Sequence, residues 1–228
     1  DEALPALDHI NSTAPSLASL RAGVEIRLRL AAAHWLLQSA GAHAHAPSSR
    51  WSPETAPEEV EALLDRLAGL APSWEADRLR QRTRITFGDS DPLALVDSAR
   101  MDPSGEALEG VAIALLRRGR AEDALSIVGP GSASLAGRWQ HLLTGIAFTA
   151  LGQTEEARQA LHEAASDAAL RPLATYLSAR TSLQQGDAEA FAANASNALI
   201  EWNDEPAWHF ELANAYLNLG QPDNALPH

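Results

Sequence analysis

Cysteine is absent from the 228 residues, and so is lysine, since all 17 cationic side chains are arginine. Without cysteine there are no disulfides, no thiolate nucleophiles and no thiolate metal ligands. Without lysine there is no Walker-type phosphate loop and no Schiff-base chemistry. Aromatics make up only 5% of the chain, and the single methionine leaves little soft, adaptable core material. Ile, Val and Phe are sparse beside Ala and Leu, which argues against a sheet protein, because strands draw on β-branched and aromatic side chains. No run is long enough to span a membrane: the apolar stretch from Leu28 to Leu37 is short and holds Arg29 and His34. The motifs GxGxxG, HExxH and GxSxG do not occur.

The formal charge is -13 and the isoelectric point is near 4.9. An acidic chain lacks the clustered cations that neutralise phosphates, so nucleic acid is not the expected partner; basic or neutral partners are. The chain begins at Asp1 with no methionine and no basic leader, as a processed or trimmed chain would. It stops at His228, inside what reads as another helix. The expected setting is the periplasm or cell envelope of a bacterium rather than the cytoplasm.

What is present is alanine, leucine and a recurring glycine. Gly119, Gly152, Gly186 and Gly220 stand 33, 34 and 34 residues apart. Ala124, Ala157 and Ala225 follow three of them at the same offset. A fixed period in this range marks a repeat of helix pairs. Apolar spacing predicts helices over 16–39, 58–69, 73–87, 92–100, 105–118, 121–128, 135–150, 154–169, 172–184, 188–201 and 206–219. Residues 1–15 read as partly irregular, and Gly41 to Pro57 as a loop. Pro172 and Pro206 stand where a first-turn proline is tolerated. Thr154 offers an N-cap, with Glu155 and Glu156 in the first turn. The domain reading is therefore an N-terminal part, 1–72, with an irregular loop at 41–57 and a possible degenerate repeat. Tandem helix pairs follow over 73–228, the last one truncated.

Residues 138–171 carry the pattern best. Gly145 takes a small position, Phe148 an aromatic one, Gly152 the turn, and Ala157 and Ala164 two close-packing positions. Residues 206–228 repeat it with Ala213, Tyr216, Gly220 and Ala225, and residues 105–137 with Ala112, Gly119 and Ala124. The unit at 172–205 departs from it, with Phe191 where alanine is expected and Ser182 where an aromatic is. The unit at 74–104 is weaker, with Gly88 as its turn. In these motifs the chain resembles the tetratricopeptide repeat (TPR) proteins of bacterial type. The resemblance implies an all-α superhelical solenoid of antiparallel helix pairs with a concave groove.

By the same resemblance, first-helix side chains line that groove. They are Trp74, Arg78, Arg82, Trp139, Leu142, Tyr176, Arg180, Phe210, Asn214 and Asn218. Arg78 and Arg82 lie four apart on one helix face and are placed to grip a carboxylate. Asn214 falls where such repeats bond a peptide backbone. Trp74 and Trp139 also admit a reading as packing residues between units, and Arg78 and Arg82 as members of a solvated helix face paired to nearby acids. The expected function is a non-catalytic scaffold that binds a peptide or partner protein within a bacterial multiprotein assembly. Alternatives are a self-assembling repeat protein, which would be a homo-oligomer, and the recruiting or regulatory domain of a longer enzyme. No catalytic residues, cofactor or metal site are expected. His43 and His45 lie together in the loop but lack a third ligand of defined geometry.

Overall fold

Abundant alanine and leucine between regularly placed glycines give an all-helical chain. The computed structural model describes residues 3–39, 56–88, 90–102, 105–130, 139–202 and 206–228, and among these there is no strand. The helices run α1 (Ala3–Thr13), α2 (Leu17–Ser39), α3 (Ala56–Ala68), α4 (Ser73–Phe87), α5 (Val96–Ala99), α6 (Glu106–Arg117) and α7 (Ala121–Val128). They continue as α8 (Gln140–Ala150), α9 (Thr154–Ala164), α10 (Arg171–Gln184), α11 (Ala188–Glu201), α12 (Pro206–Asn218) and α13 (Pro222–Ala225). A 3-10 turn, Pro92–Leu95, leads into α5.

Helices pack on their chain neighbours: α2 on α3, α6 on α7, α8 on α9 and α10 on α11. Alternate helices also touch, α2 with α4, α4 with α6, α6 with α8 and α8 with α10. One apolar core runs from Ala31 and Trp35 in α2 to Leu212 and Ala215 in α12. A smaller one joins Leu20, Val24 and Leu28 of α2 to Val60, Leu64 and Leu67 of α3 and Leu79 of α4.

The four recurring glycines end α6, α8, α10 and α12 in the same way. Their φ angles are 72°, 72°, 83° and 71°, left-handed values that cost a residue bearing Cβ. After each, the next N–H donates back to a carbonyl in the last turn: Arg120 to Leu115, Gln153 to Phe148, Asp187 to Ser182 and Gln221 to Tyr216, at 2.9–3.0 Å. The glycine N–H itself bonds Leu116, Thr149, Leu183 or Leu217 at 2.9–3.1 Å. This pair of bonds is the Schellman C-cap, and it satisfies carbonyls that the helix end leaves open. Inside the α8–α9 pair the small position is sterically required, since a Cβ on Gly145 would stand 2.6 Å from Leu161 Cγ. Ala157, Ala160 and Ala164 are buried on the facing helix.

Several expectations need correction. Residues 3–13 are helical, held to α2 and α3 by a buried arginine: Arg27 reaches Asp8 at 2.8 Å and Glu59 at 2.9 Å. Ala56 and Pro57 belong to α3; residues 40–55, with His43 and His45, lie outside the described residues. Gly88 is not a left-handed turn: its φ is -76°, in extended backbone. Thr154 does not cap α9; the N-cap is Gln153, and no side chain bonds there. That helix ends at Ala164, five residues early, and Leu170 N–H bonds back to the Asp167 carbonyl in the turn that follows. In the aberrant unit, bulk has changed places. Ser182 is small where Phe148 stands in the preceding unit, while Phe191 is fully buried and meets the edge of Tyr176 with ring centroids 6.2 Å apart.

Candidate interaction surface

One position of the repeat decides how successive pairs meet. Glu109, Leu142, Tyr176 and Phe210 follow one another at the glycine spacing, and the first three turn toward the next first helix or the core. The Glu109 carboxylate accepts from the Trp139 N–H at 2.9 Å, at the start of α8. Leu142 is fully buried. The Tyr176 ring stacks on Trp208 of α12, and its hydroxyl donates to Glu211 Oε2 at 2.6 Å. Phe210, the fourth, is 67% exposed.

This geometry sorts the expected groove residues. Leu142 and Tyr176 are removed from it, because side chains with no exposed surface cannot touch a partner. Trp139 is half-buried against the main core, in keeping with a packing role. Arg82 is buried and bonded to Glu106, which also receives Arg29 at 3.0 Å. Arg78 is half-buried, 3.9 Å from the Asp102 carboxylate. The two arginines therefore hold carboxylates of their own chain at the start of α6, and neither stands ready as a clamp. Arg180 lies half-buried, 3.4 Å from Glu211. Trp74, Phe210, Asn214 and Asn218 are exposed, Trp74 at 65%.

Around Glu109 the charges are crowded. Burial raises its pKa, the Trp139 N–H opposes that, Glu106 raises it further and Arg82 lowers it. The guanidinium of Arg117 lies 3.9 Å from the centre of the Trp35 ring, and burial there lowers its pKa. Burial also lowers the pKa of His34, with a smaller push from Arg117.

Two clefts open between helices, away from the expected groove residues. One of about 870 Å³ lies between α9, α10 and α11, lined by Glu155, Arg158, His162, Ser178 and Asp187 among others. Its charges are largely spoken for: Arg158 pairs with Glu155 at 3.1 Å, and Asp187 caps α11 through the Ala190 N–H. The other, about 350 Å³, holds the His141–Glu163 pair, 2.8 Å apart. Among the described residues no group of three His, Asp or Glu side chains is placed to hold a metal ion, and no helix is long and apolar enough to cross a membrane.

Trp208 and Glu211 were not marked by the repeat pattern. The available signal was their offset: a large ring and an acid three residues apart, one repeat beyond Tyr176. Compared with known proteins, the chain matches no family model, no curated protein and no solved structure.

Proposed function

We propose that the chain is a non-catalytic protein-interaction scaffold of tetratricopeptide type. Its helix pairs wind into a superhelical solenoid, and the groove takes a peptide or partner protein within a bacterial multiprotein assembly. The observation that carries this reading is the recurrence of one Schellman cap at Gly119, Gly152, Gly186 and Gly220, with matching backbone bonds at each. Contacts between alternate first helices, α4 with α6, α6 with α8 and α8 with α10, support stacking of successive pairs.

Exposed aromatic side chains beside amides and half-buried arginine are the composition of a recognition surface. Trp74 and Phe210 supply the aromatics here, and Asn214, Asn218 and Arg180 the polar groups. The mechanism is positioning: no bond is made or broken. The net charge of -13 favours encounter with basic partners, more so at low salt.

The test is capture of partners by the wild-type chain and by Trp74→Ala, with identification by mass spectrometry and helix content followed by circular dichroism. Trp74 is exposed, so the fold is expected to stay intact. A partner set depleted about tenfold in the variant supports the reading, by the usual worth of an aromatic anchor. Identical capture by both proteins removes Trp74 and the groove reading with it.

A further inference from the structure

The two clefts are one feature of the repeat, met twice. The smaller, about 350 Å³, lies between α7, α8 and α9; the larger, about 870 Å³, lies between α9, α10 and α11. Thr144, Phe148 and Glu156 line the first, and Ser178, Ser182 and Ala190 line the second at the same positions, 34 residues on. Each exchange removes bulk, the loss of the Phe148 ring above all. Phe191, the large side chain gained by this unit, is fully buried against Tyr176 and does not refill the space. The floor also loses its internal bonds. Gln140 and Thr144 both donate to the Val128 carbonyl, at 3.3 and 2.9 Å. Ala174, in place of Gln140, has no side-chain donor. Two further exchanges, Val128 for His162 and Ala160 for Asn194, turn apolar lining into polar.

The larger cleft offers acceptors. Thr175, Ser178 and Ser182 lie three and four residues apart on one face of α10 and line about 10 Å of the floor. Among the described residues none of their hydroxyls makes a hydrogen bond, whereas Thr149, Thr181 and Ser196 turn theirs back onto helix carbonyls at 2.7–2.9 Å. Glu156, on the α9 rim, pairs with no cation among the described residues, and Asp187 spends only Oδ1 on the Ala190 N–H. We propose that this cleft binds a guanidinium group, carried by an arginine side chain or by a small compound with the same head. A guanidinium is all donor, with five N–H groups in a planar fork, and so matches a lining of hydroxyl and carboxylate oxygens. Glu156 supplies the countercharge and the α10 hydroxyls take the remaining N–H groups. An anion is a poor occupant, because carboxylates outnumber the one lining arginine, Arg158, which Glu155 already holds at 3.1 Å. A sugar is a poor one too, since no Phe, Tyr or Trp lines the cleft to stack on it. The site lies on the middle pairs of the repeat and draws on no residue of the expected groove.

The probes are free arginine and the capped tripeptide acetyl-glycyl-arginyl-glycinamide, each titrated into the full chain and followed by backbone amide shifts. Saturable shifts at Thr175, Ser178 and Ser182 are expected. Tighter binding of the tripeptide marks a peptide as the source of the guanidinium; equal or tighter binding of arginine marks a small guanidino compound. The lysyl tripeptide should bind about tenfold more weakly, because an ammonium cannot fork between acceptors. Glu156→Gln should weaken arginyl binding about tenfold, the loss of one charge-assisted bond. Ser182→Phe, which restores the ring that stands at Phe148, should close the cleft and weaken binding by more than roughly tenfold. Should Ser182→Phe lose helix by circular dichroism, Ser178→Ala with Ser182→Ala removes two acceptors from an open cleft and should weaken binding severalfold. Absence of saturable shifts, equal affinity for the lysyl tripeptide, or undiminished binding by Glu156→Gln or by a folded serine variant overturns the proposal. So do nuclear Overhauser contacts, in the free protein, from the cleft to an arginine outside α9–α11, which mean that the chain fills its own site. Failure here leaves the Trp74-dependent capture unaffected, so the two readings fall separately.

Discussion

The ring of Tyr176 lies flat on that of Trp208, 9° from parallel, and ties α10 to α12 across a repeat boundary. Both rings are fully buried, and the edges of Phe191 and Trp202 close around them. This is the largest aromatic cluster among the described residues, in a chain with few aromatics. Trp208→Ala should therefore cost about 3–5 kcal/mol, the range for emptying a large aromatic site. Tyr176→Phe keeps the stack and removes the bond to Glu211, at about 1.5–3 kcal/mol, the range for a hydrogen bond to a charged group. Urea titrations followed by circular dichroism separate the two, and equal costs would mean that the hydroxyl bond, rather than the stack, holds the seam.

Two glycines of the α8–α9 pair should respond to alanine for different reasons. At Gly152 a Cβ would meet nothing within 4 Å, so only the left-handed backbone resists, at about 1–2 kcal/mol. At Gly145 the backbone is ordinary helix, and the resistance is collision with Leu161. Its cost is also about 1–3 kcal/mol, as for other overpacked sites. Leu161→Val should recover part of the loss in Gly145→Ala and none of it in Gly152→Ala. Denaturation midpoints of the four proteins test this, and equal recovery at both sites would contradict it.

Glu109 predicts a pH dependence. Its folded pKa is raised above the usual 4.5, so the native state binds more protons than the unfolded chain in a window that opens there and extends upward. The favourable contribution of its protonated form is present below that window and is lost as pH rises through it. Glu109→Gln keeps an acceptor for the Trp139 N–H and carries no charge. Its melting temperature relative to wild type should rise from acid toward neutral pH and then level off. A difference that stays flat across this range would show that the carboxylate does not titrate as its burial implies.

Arg27 joins three helices from a buried position. It bonds Asp8 of α1 and Glu59 of α3, and donates to the Gly23 carbonyl of its own helix at 3.3 Å. Its partners are themselves part-exposed, so removing the arginine strands no fully buried carboxylate. Arg27→Met, which keeps the buried stem, should cost about 2 kcal/mol, below the 3–5 kcal/mol typical of a fully buried pair. Hydrogen exchange should quicken in α1 before it does in α8 or α10. Uniform acceleration over the whole chain would contradict a local tie.

Much of the fold was legible because the decisive signals are local. A glycine at a left-handed cap is required whatever packs nearby, and Gly119, Gly152, Gly186 and Gly220 announce four helix ends by spacing alone. The same logic misled at Gly88, where a glycine ends a helix in extended backbone. Helix α1 was hidden because its stabilisation is tertiary: Asp8 and Asn11 look like loop residues until Arg27, the Ser19 carbonyl and α3 surround them. The surface was read less well. Repeat phase places a residue on a face, but burial depends on the side chain that arrives from the next unit. Leu142, Tyr176 and Arg82 share their face with Phe210 and Asn214, and only the arrival of α8, α10, α12 or Glu106 separates core from surface.

The recurring caps also bear on how the chain reaches this state. Each closes a loop of six residues within its own helix end, so it adds little closure entropy once that helix is packed. The hairpins then join nearest neighbours, and little entropy is lost in bringing distant segments together. No single pair buries its apolar face alone, because the core is continuous from α2 to α12, so each pair gains stability only as its neighbour packs against it. At the C-terminal end of the described core this dependence is visible in one ring, since Tyr176 of α10 is buried by the stack with Trp208 of α12.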